Sequence, residues 1–483
     1  MTIRVRSINV HVLNTRARMP FRYGIAALTA VPHLFVRVEV EVGGKRAYGI
    51  ASEGLVPKWF TKDPDTTFEA DLRDMFAVIR SACGIAEALG GAESVFDLWR
   101  GVYAGQEQWA ASTSHPPLLW AFGVTLVERA LIDGFCRATG RPFASAVRTN
   151  TLGIRLGDIH EELDGFDPDD LLPSEPFRRI IVRHTVGLSD PLTDDEIPEE
   201  ERLDDGLPQS LEACIRAYGL THFKIKLAGD AEIDRERLLR IASVIQSGQH
   251  REYAYTLDGN ENYRQVESFR KFWYSLIADT ELKTFLNGLL FVEQPLHRSV
   301  ALSEEVCGAK LSWEDRPPMI IDESDETIES VRRALACGYI GTSHKNCKGV
   351  FKGIANACLI RLLGTKNPDE RYVMSGEDLT NIGPIALIED LSTLATLGIS
   401  HAERNGHHYF RGLSMFPDDV QARVLAEHGD LYRRHERGFA TLAIRSGKIE
   451  FGSVVDAPFG PAFPFDSTRF TPLDEWEYHS LEA

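Results

Sequence analysis

Cysteine pairs at metal-binding spacing are absent from this 483-residue sequence. Its seven cysteines are odd in number and scattered, with no CxxC pair. This pattern argues against a disulfide framework and against a zinc site, and it favours a reducing cytoplasm as the location. The cysteines stand at positions 83, 136, 214, 307, 337, 347 and 358.

Long apolar runs and net positive charge are also lacking. No segment reaches the roughly 18 consecutive apolar residues of a membrane span, and the alternating N-terminus lacks the apolar stretch of a signal peptide. Asp and Glu number 71 against 53 Lys and Arg, which gives a formal charge of −18. We therefore expect neither a membrane nor a nucleic acid as partner, although a bound cation can still make a cleft attractive to a small carboxylate.

The first part of the chain reads as an α+β domain over residues 1–145. Residues 3–13 and 33–42 alternate with period two, and Gly43-Gly44 predicts a hairpin, so an antiparallel sheet opens the protein. Helical spacing follows from Thr67 to Thr139, and Gly140 is suited to a helix C-cap.

Beyond Pro142, short apolar runs alternate with helical segments, which is the pattern of βα units. Eight runs are enough to close a TIM-like (β/α)8 barrel, an α/β fold, over residues 146–410. An acidic insertion at 189–206 predicts a solvated loop, and residues 411–483 are predicted to pack back on the first domain. The eight runs are RRIIVRHTV, HFKIKL, YAYTLD, GLLFVEQP, PMIIDES, YIGTSHK, RYVMSGED and GISHAERN.

The first chemical signal lies in the second run, HFKIKL. There Phe223, Ile225 and Leu227 alternate with Lys224 and Lys226, so a strand places both ammonium groups on one face. In a barrel the apolar set meets the helices and the lysines point inward. Most KxK pairs are solvated strand faces, so the pair indicates no function by itself.

Each of the next three runs ends in a carboxylate: Asp258, Glu293 and Asp322. The spacing is about one βα unit each time, so the three acids lie at the carboxyl ends of neighbouring strands, where barrel enzymes keep their active sites. Converging oxygens suit a hard cation such as Mg²⁺, whereas zinc prefers nitrogen or sulfur. Glu323 is an alternative ligand, although strand alternation turns one of the two adjacent acids away.

The sixth run ends at Lys345, which places another amine across the barrel from Lys226. Lys348 is the alternative, because this run is the least regular of the eight. Burying several charges is costly unless they pair with one another, so a barrel mouth with three carboxylates and three lysines is hard to explain as packing.

The ordered set KxK, Asp, Glu, Asp, Lys resembles the enolase superfamily, especially its muconate lactonizing enzyme and dipeptide epimerase subgroup. The resemblance extends over nearly the whole chain. It implies a barrel with a substrate-capping domain, a Mg²⁺ cofactor, and removal of the proton next to a carboxylate through an enediolate. The stretches that carry it are ALIDGFCRATGRPF, HFKIKL, LDGN, VEQPL, IDES and KNCKG.

The resemblance also implies roles for individual residues. Lys226 and Lys345 would be the acid and base on opposite faces of the substrate, and Lys224 would support Lys226 by its charge. Desolvation, the adjacent ammonium and the cation all favour the lowered pKa that a lysine base needs. The implied magnesium ligands are Asp258, Glu293 and Asp322.

Some features depart from the family pattern. Val350 stands where a second glycine usually follows, and His344 precedes Lys345. The mandelate racemase subgroup would place a histidine base on strand seven, but RYVMSGEDLTNIG contains none. Two lysines therefore remain the better interpretation.

Substrate contacts are predicted only by analogy. The candidates on loops of the capping domain are Tyr23, His33 and Lys58; those on the barrel are Asn260, Glu323, Glu377, Asp378 and His401, with His184 on the first strand.

We predict a racemase or epimerase that acts on a small carboxylic acid by 1,1-proton transfer, assembled as a homo-oligomer. One alternative is β-elimination or cycloisomerisation at the same site, where one lysine abstracts the proton and the other steadies charge. A rival of a different class is a carboxylate-binding relic that has kept the barrel and lost turnover.

Overall fold

The computed structural model describes residues 1–23, 25–247 and 252–481, and these form a cap and a barrel. The cap contains an antiparallel sheet and three long helices. Its elements and those of the connection to the barrel are β1 (Ile3–Tyr23), β2 (Ala26–Val42), β3 (Lys45–Gly54), α1 (Phe68–Leu89), β4 (Gly91–Ala92), α2 (Val95–Ala110), α3 (Pro117–Thr139), α4 (Phe143–Arg148) and α5 (Pro168–Leu171).

The predicted opening hairpin is confirmed, but its strands extend beyond the residues that alternate with period two. Strands β1 and β2 pair antiparallel from Ile3↔Val42 to Tyr23↔Ala26. A register shift between Arg16 and Phe21 breaks the period-two alternation, so the pattern ends before the strand does. The extended end of the hairpin places Phe21 over the barrel mouth.

Helix α3 packs against strand β3 at a glycine contact. A Cβ on Gly49 would lie 2.0 Å from the Ala130 carbonyl oxygen and 2.7 Å from Gly134 Cα. Only glycine at position 49 permits this approach, which buries nearly the whole helix. The predicted cap at Gly140 is confirmed, with φ +67 in the left-handed region.

The barrel follows with strands and helices in alternation. In chain order they are β5 (Arg179–Val186), α6 (Leu211–Tyr218), β6 (His222–Lys226), α7 (Ala231–Ser247), β7 (Ala254–Asp258), α8 (Val266–Ala278), α9 (Lys283–Leu286), β8 (Leu289–Glu293), α10 (Arg298–Ala301), α11 (Glu304–Leu311), β9 (Met319–Ile321), α12 (Ser330–Ala336), β10 (Gly341–His344), α13 (Val350–Lys366), β11 (Val373–Gly376), α14 (Ala386–Leu397) and β12 (His401–Arg404).

The eight strands β5–β12 are all parallel to their neighbours and close on themselves. The closing pair joins β12 to β5, from His401↔Ile181 to Arg404↔His184. Each strand coincides with one of the eight predicted runs, so the predicted (β/α)8 barrel is confirmed. The carboxyl ends of the strands face the cap.

The C-terminal segment returns to both parts of the molecule. Strand β15 pairs antiparallel with β5 of the barrel, while β16 pairs antiparallel with β1 of the cap. The predicted contribution of the tail to the cap is therefore confirmed. The remaining elements are α15 (Gly406–Tyr409), α16 (Asp418–Glu427), β13 (Tyr432–Arg434), β14 (Ala440–Leu442), β15 (Lys448–Glu450), α17 (Gly452–Asp456) and β16 (Thr471–Pro472).

Two expectations need correction. The acidic insertion at 189–206 is exposed along much of its length, but Asp190 and Asp205 are buried, and Asp205 lies 2.6 Å from Arg18 of the cap. The expected absence of disulfides is wrong, because Cys307 and Cys337 are bonded. The two cysteines are 30 residues apart, so the sequence alone does not indicate that they pair. They meet because α11 packs beside the end of α12.

No helix among the described residues is both long enough and apolar enough to cross a membrane.

A buried charge cluster joins the cap to the barrel. Arg129 of α3 lies 3.2 Å from Glu53 of β3 and 3.2 Å from Glu389 of α14, and all three side chains are almost fully buried. Burial raises the pKa of Glu53 to about 8 although Arg129 opposes the rise. The carboxylates therefore depend on the guanidinium for compensation.

Arg129→Met is expected to lower the free energy of unfolding by about 3–5 kcal/mol, because it leaves two buried carboxylates without their cation. Urea unfolding measures the loss. Arg73→Met, which removes an exposed partner of Glu69, is the control and should change stability by less than about 0.5 kcal/mol. A loss below about 1 kcal/mol for Arg129→Met would contradict the role assigned to the cluster.

Candidate active site

A cavity of about 40 Å³ lies between the carboxyl ends of the barrel strands and the cap. The cap lines it with Phe21, Val56, Lys58, Trp59 and Lys62. The barrel lines it with Lys224, Lys226, Asn260, Glu261, Arg298, Asp322, Glu323, Lys345, Asp378, Leu379, Thr380, Glu403 and Asn405. Charged side chains thus line most of the barrel side of the cavity, while the cap contributes three apolar side chains and two lysines.

Both lysines of β6 point into the barrel, as the alternation predicts. The Lys224 ammonium lies 2.8 Å from Glu293, 2.8 Å from Glu377 and 3.0 Å from Glu403, and it is 3.2 Å from Asp258. Lys224 therefore sits at the centre of a buried group of carboxylates. These carboxylates raise its pKa well above the ordinary value, although burial alone would lower it.

Lys226 and Lys345 each hold a different acid. The Lys226 ammonium donates to Asp258 Oδ2 at 2.5 Å, and the Lys345 ammonium donates to Asp322 Oδ2 at 2.5 Å. Lys345 also lies 4.5 Å above the Trp59 ring of the cap. The two amines therefore flank the acids of β7, β8 and β9.

The three acids at the strand ends are almost fully buried and differ in electrostatic environment. Burial would raise the pKa of Asp322, but Lys345 and Lys348 outweigh it and hold that pKa well below its ordinary value. Lys226 and Lys224 similarly outweigh burial at Asp258 and lower its pKa. At Glu293 burial and the neighbouring Glu377 prevail, so its pKa is raised well above the ordinary value.

The surroundings of Glu323 indicate whether these residues suit a hard cation. Its side chain is buried in the cavity wall, and its Oε2 has no hydrogen-bond partner among the described residues. Burial and the nearby Asp322 raise the pKa of Glu323 to about 7. A buried oxygen without a donor, beside an all-oxygen set of acids, fits magnesium chemistry. Asp322 and Glu323 both line the cavity, because β9 ends at Ile321 before either acid and strand alternation no longer separates them.

The geometry distinguishes Lys345 from its alternative. Lys348 donates to the Ser343 carbonyl at 2.6 Å and to the Ser343 hydroxyl at 2.8 Å, below the cavity. Lys345 reaches the cavity itself. This placement favours Lys345 as the lysine that meets a substrate.

Some of the predicted substrate contacts line the cavity and others lie elsewhere in the fold. Lys58, Asn260, Glu323 and Asp378 line the cavity, although the Lys58 ammonium is held within the cap by Asp63, Thr66 and Asp71. Four of the described candidates do not line it: His33, His184, Glu377 and His401. Glu377 instead binds Arg183 and Lys224 beneath the cavity. The side chain of Tyr23 and the whole of Gly24 lie outside the described residues.

His33 and His401 are packed away from the cavity, and His184 points outward from the barrel. His33 contacts Ser52 and packs edge-on against Phe35. His401 begins β12 at the opposite end of the barrel, against Arg183. Burial lowers the pKa of both His33 and His401 to about 3, with nearby arginines adding to the effect.

These lowered pKa values predict that acid destabilises the protein. The unfolded state takes up a proton below the ordinary histidine pKa of about 6.5, while the folded state does not until near pH 3. The contribution of these two histidines to the free energy of unfolding is therefore complete above about pH 6.5 and is lost as the pH falls toward 3. At pH 5.5 the loss is about 1.4 kcal/mol per histidine.

Urea unfolding at pH 7.5 and pH 5.5 checks this expectation. His33→Gln and His401→Gln should each lose less stability between the two pH values than the parent protein. His479→Gln, at an exposed position, should lose as much as the parent. Equal losses in all four proteins would show that these imidazoles do not cause the acid sensitivity.

Several cavity residues escaped the sequence analysis. Glu403 is the penultimate residue of the eighth strand, β12, and it lies 3.0 Å from Lys224. The run GISHAERN carried this signal, since it has an acid near its carboxyl end. Burial would raise the pKa of Glu403, but Lys224, Lys226 and Lys345 lower it well below the ordinary value.

A second group fastens the cap loop over the cavity. Arg298 donates to the carbonyls of Trp59 and Phe60 at 2.8 Å and pairs with Glu261 at 2.8 Å. Lys62 of the cap donates to the Asn260 carbonyl. No sequence pattern marks these contacts, because they join loops far apart in the chain.

The similarity of this chain to known proteins is found in its three-dimensional structure. No protein-family model matches the chain, and no curated protein matches it. Solved structures do match it. A mandelate racemase/muconate lactonizing protein from Herpetosiphon aurantiacus has 18% identity and a TM-score of 0.57, covering 96% of this chain and 99% of its own. This chain has the same fold.

Two further structures with the enolase-type fold were solved with ligands. An enolase from Bradyrhizobium, complexed with magnesium and mandelic acid, has 12% identity and a TM-score of 0.54, covering 94% of this chain and 98% of its own. A dipeptide epimerase from Enterococcus faecalis, complexed with Mg and the dipeptide L-Leu-L-Tyr, has 13% identity and a TM-score of 0.54, covering 84% and 92%. The resemblance read from the sequence is thus confirmed at the level of the fold.

Proposed function

We propose that this protein is an enolase-superfamily isomerase that racemises or epimerises a small carboxylic acid by moving its α-proton. The observation that carries the proposal is the placement of Lys226 on Asp258 and of Lys345 on Asp322, on either side of Glu293. Two amines on opposite sides can serve the two faces of one carbon. The shared fold supports the same reaction class.

Each residue has a separate role in the proposed reaction. The neutral amine of one lysine removes the α-proton, and the electrons of the C–H bond delocalise into the carboxylate as an enediolate. The ammonium of the other lysine returns a proton to the opposite face. Lys224 lies among the carboxylates and balances part of their charge, while the apolar cap residues exclude water.

Asp258, Glu293 and Asp322 would hold a magnesium ion, with Glu323 close to them. When bound, the ion would stabilise the negative charge of the enediolate and offset the negative charge of the carboxylates beside the two lysines. Asp322 raises the pKa of Lys345 although burial opposes the rise. Desolvation by itself is therefore insufficient to lower the pKa of Lys345, and the negative charge of Asp322 must be offset before Lys345 can act as a base.

Proton exchange in D₂O tests the proposal. The full chain with Mg²⁺ is incubated with single enantiomers of dipeptides, N-acyl amino acids and 2-hydroxy acids, and ¹H NMR follows the α-proton. We expect deuterium in the recovered substrate together with its epimer. Failure of every acid to exchange, with no Mg²⁺ bound in calorimetry, would overturn the proposal in favour of a binding relic.

The same experiment separates β-elimination or cycloisomerisation. In that case solvent deuterium would enter the product but not the recovered substrate, and no epimer would form. The symmetrical placement of the two amines favours racemisation over this alternative, because elimination and cycloisomerisation need only one base.

A further inference from the structure

A second cluster of metal-binding side chains lies outside the candidate active site. His184 of β5 points outward from the barrel and meets Cys214 of α6 and His408 of α15. Their ligand atoms all lie within 4.8 Å of one another, and all three side chains are buried. The functional argument above uses none of them.

The separations approach those of a tetrahedral metal site. Cys214 Sγ lies 3.5 Å from His408 Nδ1. Zinc bonds of about 2.0–2.3 Å at tetrahedral angles place neighbouring ligand atoms about 3.3–3.8 Å apart, so this pair already has the required spacing. The widest separation in the cluster is at most 4.8 Å, so it has to shorten by up to about 1 Å to reach the same geometry.

The ligand set selects the kind of ion. Two imidazoles and a thiol suit zinc and not magnesium, which takes oxygen ligands. Burial lowers the pKa of His184 to about 4 and that of His408 well below its ordinary value, so both rings are neutral at pH 7, as metal binding requires. The cluster and the proposed magnesium site therefore differ in chemistry as well as in place.

Surrounding groups resemble the outer contacts of metal sites. While Nδ1 of His408 faces Cys214, its Nε2 lies 3.9 Å from Asp190 Oδ2, which also accepts from the Tyr409 hydroxyl at 2.6 Å. At 3.9 Å the Asp190 carboxylate does not hydrogen-bond this ring, but it lies on the side where an acid orients a ligating imidazole. His407 approaches His184 at 3.2 Å, and its other nitrogen, Nδ1, is buried with no partner among the described residues.

A metal ion bound by the cluster would link the two strands that close the barrel. His184 belongs to the first barrel strand, and His408 follows the last, so the cluster brackets the pair β5–β12 that closes the barrel. This pair joins strands distant in sequence, whose approach costs the most chain entropy. A surface groove of about 530 Å³ is lined in part by Asp190, whose carboxylate lies 3.9 Å from His408 Nε2.

We propose that His184, Cys214 and His408 form a structural site for a zinc-type transition-metal ion that fastens the barrel seam. Binding replaces the thiol proton of Cys214, which is released to solvent, by the metal. The fourth position is open to water or to His407. The site is independent of the proposed activity.

Metal content and spectroscopy of the full chain test the site. Metal-free protein is titrated with Zn²⁺ in the presence of excess Mg²⁺, and one equivalent is expected to bind and to raise the melting temperature. Co²⁺ in place of zinc should give the visible bands of tetrahedral cobalt and a near-ultraviolet thiolate band. Absence of stoichiometric zinc, or of the thiolate band, would overturn the proposal without any variant.

Variants then locate the ion. Cys214→Ala and His408→Ala should lose the bound zinc and the zinc-dependent rise in melting temperature, and Cys214→Ala should lose the thiolate band. Cys358→Ala, at another fully buried cysteine, is the matched control and should keep all three. Glu293→Gln should also keep the zinc, so a failed catalytic proposal and a failed zinc proposal give different results. Retention of zinc by Cys214→Ala, or its loss in Glu293→Gln, would refute the site.

Discussion

Replacing Lys226 or Lys345 by methionine is expected to lower racemisation about 10³-fold or more, because each variant removes the only acid–base group proposed for one face of the substrate. Methionine keeps most of the side-chain volume. With one lysine left, the enantiomer whose proton faces it should still exchange with D₂O, while conversion to the other enantiomer stops. Chiral chromatography and ¹H NMR measure the two processes separately.

Lys310→Met is the matched control for these variants. Lys310 is a fully buried lysine on α11 whose ammonium has no hydrogen-bond partner among the described residues and lies over the Tyr339 ring. It is outside the cavity, so the same substitution there should leave kcat within about two-fold. Equal inactivation by Lys310→Met, or normal turnover by Lys226→Met, would refute the assignment of the lysines.

Glu293→Gln should have opposite effects on metal binding and on stability. Loss of one of three proposed charged ligands is expected to weaken Mg²⁺ binding about 100-fold or more and to lower kcat by about 10³-fold, since the enediolate charge is no longer met. In metal-free protein the same change removes a carboxylate whose pKa is raised well above its ordinary value by burial and by Glu377.

The sign of the stability effect follows from that raised pKa. A carboxyl group with a raised folded pKa costs stability as the pH rises above its unfolded pKa, near 4.3, because ionisation is easier in the unfolded chain. The metal-free variant should therefore be as stable as the metal-free parent protein, or more stable, at pH 7.5. Lys224 keeps Glu377 and Glu403 as partners after the change. Marked destabilisation together with unaltered Mg²⁺ affinity would show that Glu293 is structural.

The sequence predicted the barrel because each strand is a short apolar run with clear boundaries. It also predicted the inward direction of Lys224 and Lys226, since alternation decides which residues share a face. It predicted the order of the acids, but not that Asp322 and Glu323 both face the cavity, because alternation ceases where β9 ends at Ile321.

Contacts between distant segments were beyond the sequence pattern. His33 and His401 have the right residue type and fall on strands, but periodicity does not tell which end of a strand meets the cavity. The bond between Cys307 and Cys337 and the meeting of Cys214 with His408 arise only when separate helices pack. Glu403 is different, since its position near the carboxyl end of the eighth run made it accessible to the reasoning applied to Asp258.

A crystal structure with Mn²⁺ in place of magnesium and with a single-enantiomer carboxylic acid bound would test the central claim most directly. Anomalous scattering should place the ion among Asp258, Glu293 and Asp322. The nitrogens of Lys226 and Lys345 should lie on opposite faces of the α-carbon, each at about 3–3.5 Å. An ion bound elsewhere, or both nitrogens on the same face, would contradict the proposed reaction.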